Sequence, residues 1–343
     1  MNFWWLIPAV AGVALVLTAA LRRYAIARSI VDIPNARSSH SIPTPRGGGV
    51  AIVVAFLLVL PFLGWAQLVE VPILVAIGGA GTLVAVVGFM DDHGHIAARW
   101  RLLGHFCAAA WALFWMGGLP AITLFGSSVD LGWLGYVMGA FYLVWMLNLY
   151  NFMDGIDGVA SVEAISTCLS ACLLYWLIGF SELVWLPGML AMAVAGFLFW
   201  NFPPAKIFMG DAGSGFLGVV LAGISIHAAW SAPQLLWSWL ILLGVFIVDA
   251  TYTLIRRLVR GDKVYEAHRS HAYQYASRKY QKHLPVTVAV GAINIGWLLP
   301  IALCVTCFGL DGAVGVVIAY IPLLLLAVKF HAGELEKNQT LGN

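Results

Sequence analysis

Charge is what this sequence has least of. Of 343 residues only 10% are Asp, Glu, Lys or Arg, against 62% hydrophobic, and no stretch is polar enough to fold as a separate hydrophilic domain. A soluble globular chain carries about a quarter charged residues, so that class is excluded. No alternating apolar and polar pattern recurs in ten-residue blocks, which argues against a membrane β-barrel. Repeats and low-complexity tracts are absent as well, leaving neither a solenoid nor a disordered linker to place. Cysteine is scarce, at five residues, all inside apolar runs. The Cys304-x-x-Cys307 pair has no second pair and no histidine partner, so it reads as buried packing rather than a redox or zinc site. The first apolar run lacks a basic leader and a small-residue cleavage site before Arg22 and Arg23, so it is expected to be a retained span and not a signal peptide.

What fills the chain is apolar runs long enough to cross a bilayer, at about 3–21, 48–66, 71–90, 102–118, 133–150, 161–179, 183–200, 214–230, 235–255, 286–308 and 312–329. The expectation is one all-α polytopic membrane domain over 1–343, with about eleven transmembrane helices, or ten. With these spans all 18 Lys and Arg fall on one side, while the opposite connections hold only Glu70, Asp130, Glu182 and Asp311. The positive-inside rule then puts the N-terminus outside and the C-terminus in the cytoplasm. The polar signatures fall in the inner connections, about 22–47, 90–101, 151–160, 201–213 and 256–285, so an active site is expected on the cytoplasmic face.

The densest of these signatures is NLYNFMDGIDGVA, where Asn148, Asn151, Asp154 and Asp157 follow one another in steps of three. On a helix they form one slowly rotating polar stripe, which is costly at a membrane boundary unless it faces water, a metal or a polar ligand. The first inner loop offers Arg37, His40 and Arg46 as phosphate donors before Gly47, Gly48 and Gly49, which either cradle an anion or pack helices tightly. Asp91 and Asp92 are adjacent carboxylates that suit Mg²⁺ or a general base, with a solvated loop bend as the plain alternative. The fourth loop carries Lys206, Phe208, Asp211 and Ser214 into a helix start whose free amides suit an anion. Asp249 either pairs with Arg256 and Arg257 or faces a polar cavity, and apart from it the spans show no deep polar groups. In the last loop His268, Arg269 and His271 bind phosphates or a metal, or belong to a basic segment lying on anionic lipid. No nucleic-acid-binding motif is present, and nucleic acid is not expected as a partner. Acids at four places and basic groups at three fit phosphoryl chemistry, with carboxylates holding Mg²⁺ and cations neutralising phosphate. A transporter would instead place its polar groups near mid-bilayer on broken helices.

Five segments, DIPNARSSH…PTPRGGG, GFMDDHG, NFMDGIDG, KIFMGDAGS and HRSHAY, occur in the order found in the polyprenyl-phosphate N-acetylhexosamine-1-phosphate transferases, glycosyltransferase family 4. The chain resembles that family over nearly its whole length. The resemblance implies transfer of a sugar 1-phosphate from a UDP-N-acetylhexosamine to undecaprenyl or another polyprenyl phosphate, releasing UMP with Mg²⁺, or Mn²⁺, as cofactor. It implies Asp211 as principal Mg²⁺ ligand, Phe208 as a stacking surface for uracil, and Asn151, Asp154 and Asp157 as nucleotide-site residues. In it Asp154 lies near the base and Asp157 nearer the phosphates, while Asp91 and Asp92 are the acidic pair that activates the lipid phosphate or helps hold the metal. Two departures stand out. His271 is followed by Ala272 and Tyr273 where many relatives repeat histidine, and Ser38, Ser39 and Ser41 stand where basic residues are common. The PTPRGGG and AHRSHAYQ segments are more similar to the O-antigen-initiating branch, which takes N-acetyl-6-deoxyhexosamines or N-acetylglucosamine, than to the muramoyl-pentapeptide branch. The implied location is the bacterial inner membrane, with membrane lipids as surroundings. The runs of small residues such as Gly78, Gly79 and Gly81 leave a homodimer open.

Overall fold

Apolar runs in a lipid phase satisfy their backbone by coiling, and that is what this chain does. A computed structural model describes residues 3–34, 42–94, 96–262 and 268–335, so Arg37 and His40 lie outside the described residues. The helices are α1 (Leu6–Ala27), α2 (Val50–Trp65), α3 (Val71–Gly94), α4 (Ala98–Met116), α5 (Trp133–Met153), α6 (Val159–Leu177) and α7 (Trp185–Asn201). They continue with α8 (Asp211–Ser231), α9 (Gln234–Leu242), α10 (Gly244–Arg260), α11 (Ala272–Tyr280), α12 (Leu284–Ile293), α13 (Leu299–Phe308) and α14 (Gly312–Lys329). A 3-10 turn (Ser181–Val184) precedes α7, a π-type turn (Asn294–Leu298) follows α12, and there are two short antiparallel pairs: β1 (Val31–Asp32) with β2 (Thr44–Pro45), and β3 (Ile122–Leu124) with β4 (Ser127–Val129).

Among the described residues eight helical stretches are long and apolar enough to cross a membrane, and nine if α9 and α10, bent by 72°, form one span. All eleven apolar runs are helical, but two fall short as spans. α2 has 16 residues, and α4 carries Arg99 and Arg101 in its first turn. The chain is a multi-pass membrane protein.

The bundle is built around α8, of which nearly every residue is buried. Glycines let its neighbours approach. A Cβ on Gly218 would meet Leu147 Cα and Met146 O of α5 at 2.5 Å, and one on Gly88 of α3 would meet the Asp211 carbonyl at 2.6 Å. Gly78 lies against Leu60 of α2, Gly79 against Trp111 of α4 and Gly81 against Phe216 of α8, so the small-residue face of α3 is used within the chain. Gly48 and Gly49 are also packing residues: a Cβ on Gly49 would lie 2.6 Å from Gly213 Cα. Their amides donate to Phe208 O and Met209 O, both at 2.9 Å, while Phe208 N donates to Pro45 O at 2.8 Å. The PTPRGGG segment is thereby laced to the loop before α8, which corrects the anion-cradle reading for these two glycines.

Two expectations about buried groups change. Cys107, Cys304 and Cys307 are free and face outward from the bundle, and only Cys168 is fully buried. Glu163 of α6 is a second acid inside the spans, fully buried, with Oε2 accepting from Asn294 Nδ2 at 2.7 Å. Asn294 also donates to Ser166 Oγ at 2.8 Å and opens the π-type turn Asn294–Leu298 that joins α12 to α13. An amide partner is what lets a carboxyl group be buried there.

Candidate active site

The C-terminal ends of α3, α5 and α7 and the N-terminus of α8 meet at one end of the bundle. Between them lies a cavity of about 280 Å³ whose walls include Asp32, Asp92, Asp154, Asp157 and Asp211, with Arg46 and His283 as the basic groups. Asn151, Asn201, Phe208, Ser214 and Gln274 also line it.

α5 ends at Met153, so the polar ladder is not one helical stripe. Gly155 weakens the helix, and Gly158, at φ +73°, starts α6 in a conformation that favours glycine. Asn148 stays on the helix, donating to Val144 O at 2.7 Å. Asn151 Nδ2 donates to Asp211 Oδ1 and to Ser214 Oγ, both at 3.0 Å, which fixes the carboxylate at the head of α8. Asp154 projects from the loop among acids. Burial first, then the charges of Asp211, Asp92 and Asp157, raises its pKa well above the ordinary carboxylate value. Asp157 holds the loop together: Oδ2 accepts Ala205 N at 3.0 Å, Oδ1 pairs with His283 Nδ1 at 3.1 Å, and its carbonyl accepts Thr287 Oγ1 at 2.7 Å.

The adjacent acids of α3 divide. Asp92 Oδ2 accepts Ala212 N at 3.4 Å, so the free amides of α8 receive an anion from the chain itself, and its carbonyl accepts from Arg46 Nη2. Asp91 accepts Ile96 N at 2.9 Å through Oδ1 and pairs with Arg101 through Oδ2, and its carboxyl group also reaches the side chain of Asp211. Asp92 lines the cavity and Asp91 does not. Lys206 points away, with Nζ 5.5 Å from the ring centre of Trp200.

A second, larger hollow of about 810 Å³ adjoins the first and shares Asn151, Gly155, Asp211 and Gln274 with it. Its floor and walls are mostly apolar, from Leu102, Phe106, Phe141, Val144, Trp145, Phe152 and Leu254, while Arg101, His105, His268 and His271 cluster toward the shared residues. His268 has its pKa pushed down to about 3, by burial first and then by His271 and Arg257, so it enters this groove as a neutral ring. Arg269 lines neither hollow. Asp249 resolves onto the histidine loop: it accepts Ala272 N and Tyr273 N, both at 3.0 Å, and pairs with His271, while Arg257 pairs with Asp262.

Asn151, Asp92, Asp154, Asp157, Phe208, Asp211 and Arg46 are thus brought together, and His268 and His271 join them across the shared wall. Asp32, His105, Asn201, Gln274 and His283 are site-lining residues that the sequence reading passes over. Among the described residues no three His, Cys, Asp or Glu side chains are gathered into a ready coordination set. The hard carboxylate oxygens of Asp92 and Asp211 nevertheless fit Mg²⁺, which is commonly bound through one or two carboxylates, several waters and substrate phosphates.

A family model described as Glycosyl transferase family 4 matches residues 74–229, which include the acidic pair, the 148–160 stretch and Asp211, but neither the first inner loop nor the last. The chain is 30% identical to the probable undecaprenyl-phosphate N-acetylglucosaminyl 1-phosphate transferase of Bacillus subtilis, over 76% of this chain and 73% of that protein. It is 30% identical to the decaprenyl-phosphate N-acetylglucosaminephosphotransferase of Mycolicibacterium smegmatis, over 90% and 85%. The phospho-N-acetylmuramoyl-pentapeptide-transferase of Streptococcus pyogenes is similar at 27% identity, over 62% and 66%.

Proposed function

The chain belongs to glycosyl transferase family 4, and on that premise we propose that it transfers an N-acetylhexosamine 1-phosphate from a UDP-sugar to a polyprenyl phosphate, releasing UMP. The observation that carries this reading is the junction of two unlike hollows, one acidic and polar and one apolar, at Asn151 and Asp211. A nucleotide sugar suits the first and a lipid phosphate the second, so their phosphates would meet at the shared wall.

In this reading Phe208 stacks on the uracil, Asp154 contacts the nucleotide, and Arg46 neutralises phosphate charge. Asp157 sets the shape of the nucleotide wall through Ala205 and His283. Asp92 and Asp211 would hold Mg²⁺, which when bound offsets the charge of the pyrophosphate. The lipid phosphate is already anionic near neutral pH, so its oxygen attacks the β-phosphorus, the one bonded to the sugar through oxygen, and UMP leaves with the broken bond's electrons. No strong base is required. Asp92 is the better placed acid if a proton must be taken, because Asp91 is engaged with Ile96 and Arg101.

The Lys and Arg distribution supports a site at the cytoplasmic face of the bacterial inner membrane. The first and last inner loops support an N-acetyl-6-deoxyhexosamine or N-acetylglucosamine donor and a role in starting a surface polysaccharide such as O-antigen. Full-length protein in detergent, with Mg²⁺ or Mn²⁺, undecaprenyl phosphate and a panel of UDP-sugars, should release UMP, and Asp211→Asn should abolish release. Silence with every UDP-N-acetylhexosamine sinks the proposal. Turnover of UDP-N-acetylmuramoyl-pentapeptide alone would assign the muramoyl-pentapeptide reaction instead, and lipid-linked sugar movement with intact UDP-sugar would indicate a transporter. A phosphosugar adduct trapped on the protein in a single turnover would overturn direct attack.

A further inference from the structure

The histidine loop is held by a residue far from it in sequence. Asp249 sits on α10, in the second turn after the 72° bend, and is almost fully buried. Its Oδ1 accepts Ala272 N at 3.0 Å and Thr253 Oγ1 at 3.1 Å, and its Oδ2 accepts Tyr273 N at 3.0 Å. The carboxylate therefore caps the start of α11 from another helix. The remaining contact is different in kind: His271 Nδ1 lies 3.3 Å from the same Oδ1. A carboxylate oxygen only accepts, so this contact is made with Nδ1–H donating and Nε2 turned away as the ring's acceptor, while Gln274 N of the same helix start also approaches the side chain.

His271 is 2% exposed, lines the apolar groove, and its Nε2 has no hydrogen-bond partner among the described residues. Its ring is fixed in plane as well as in tautomer, stacked with Tyr273 at 5.7 Å and Phe152 at 6.4 Å between centres. A buried ring nitrogen with no partner is costly unless a ligand supplies one. Across the groove, His105 is also buried and has an unpartnered Nδ1, and His268 lies against His271 with ring centres 4.9 Å apart, so three imidazoles line the same groove as Arg101 and Asp211. An acceptor nitrogen beside a guanidinium suits a singly protonated phosphate, whose hydroxyl donates to Nε2 while its ionised oxygens face Arg101.

We infer that Asp249 is a positioning residue that acts through His271, fixing the ring so that Nε2, the acceptor nitrogen, receives a hydrogen bond from the P–OH of the singly protonated phosphate of the lipid acceptor at the head of the groove. The inference rests on the acceptor half of the proposed function. The test is a double-mutant cycle on the full-length chain in detergent, with binding of undecaprenyl phosphate and, separately, undecaprenol read by native mass spectrometry. His271→Ala should weaken undecaprenyl phosphate about tenfold, the scale of one hydrogen bond to a charged group, and leave undecaprenol unchanged. Asp249→Asn should cause a similar loss when His271 is present and no further loss in the His271→Ala background. Equal losses in both backgrounds would make Asp249 a helix cap only and overturn the inference, as would full affinity in His271→Ala. Should Asp249→Asn not fold, ¹⁵N spectra of histidine-labelled wild-type chain, with His271 assigned by His271→Gln, decide: a proton held on Nδ1 supports the role, and one held only on Nε2 removes it. Wild-type chain that binds no undecaprenyl phosphate sinks the acceptor reading and this role together. Normal phosphate binding and UMP release with an additive cycle sinks this role alone.

Discussion

The spacing between α3 and α8 is set by one absent methyl group, and Gly88→Ala is the perturbation that tests what the spacing does. Gly88 lies one helical turn before Asp92 and touches the carbonyl of Asp211, so it stands directly between the two acids assigned to the reacting centre. An alanine Cβ would sit 2.6 Å from Asp211 C and O and 2.7 Å from Ala212 N, against the 3.4 Å at which ordinary contact begins. All three atoms are backbone, so no side chain can swing aside, and the helices must part by about 0.8 Å at that point. Overpacking of this kind costs about 1–3 kcal/mol of stability. A displacement approaching 1 Å between reacting groups costs on the order of a hundredfold in rate, so turnover should fall by roughly ten- to a hundredfold while the KM for UDP-sugar changes little. UMP release and thermal unfolding would be measured on the same preparations, beside Gly94→Ala, which meets nothing within 4 Å and should behave as wild type. A folded Gly88→Ala protein with undiminished kcat would refute the claim that Asp92 and Asp211 work at a fixed separation.

Three further outcomes are expected. Because the folded-state pKa of Asp154 is raised, the unfolded chain releases that proton at lower pH than the folded one, and stability is lost as pH rises past the ordinary carboxylate value. Asp154→Asn should therefore shrink the fall in melting temperature of Mg²⁺-free protein between about pH 5 and 8, and an unchanged slope would contradict the crowding of acids around it. For His268, held neutral with a pKa near 3, the sign is reversed: below about 6.5 the unfolded chain takes up a proton that the folded chain refuses, so stability drops as pH falls toward 3. His268→Gln should flatten that acid limb in a melting-temperature series. Asp157→Ala frees Ala205 N–H and His283 and loosens the loop that carries Phe208, so steady-state kinetics should show about a tenfold rise in KM for UDP-sugar with the KM for polyprenyl phosphate almost unchanged.

Much of the architecture can be read in advance because lipid imposes it. Every apolar run is helical, and the break after Met153 is encoded by Gly155 and Gly158, although spacing alone suggests a longer helix. The acids at 91, 92, 154, 157 and 211 announce themselves by sitting at the ends of apolar runs. What stays hidden is whatever acquires meaning only by proximity. His283, which follows Lys282 just before α12, and Asp32, at the end of β1, become cavity walls beside segments far along the chain. Glu163 sits among small residues at the start of α6, and its partner Asn294 is 131 positions away. The split of the Asp91 and Asp92 pair is likewise invisible in sequence, because it depends on Arg101 and on the start of α8.

The apolar groove has one more consequence. Phe141 and Leu102 on its wall are 62% and 47% exposed, so the groove opens sideways along the flank of the bundle rather than upward into water. A lipid entering there travels in two dimensions and is counted by its share of the surrounding amphiphile, whereas a nucleotide sugar is counted by its molarity in the buffer. Extra detergent at constant lipid should then slow the reaction as though acceptor had been withdrawn. Saturation by the nucleotide sugar should stay where it was.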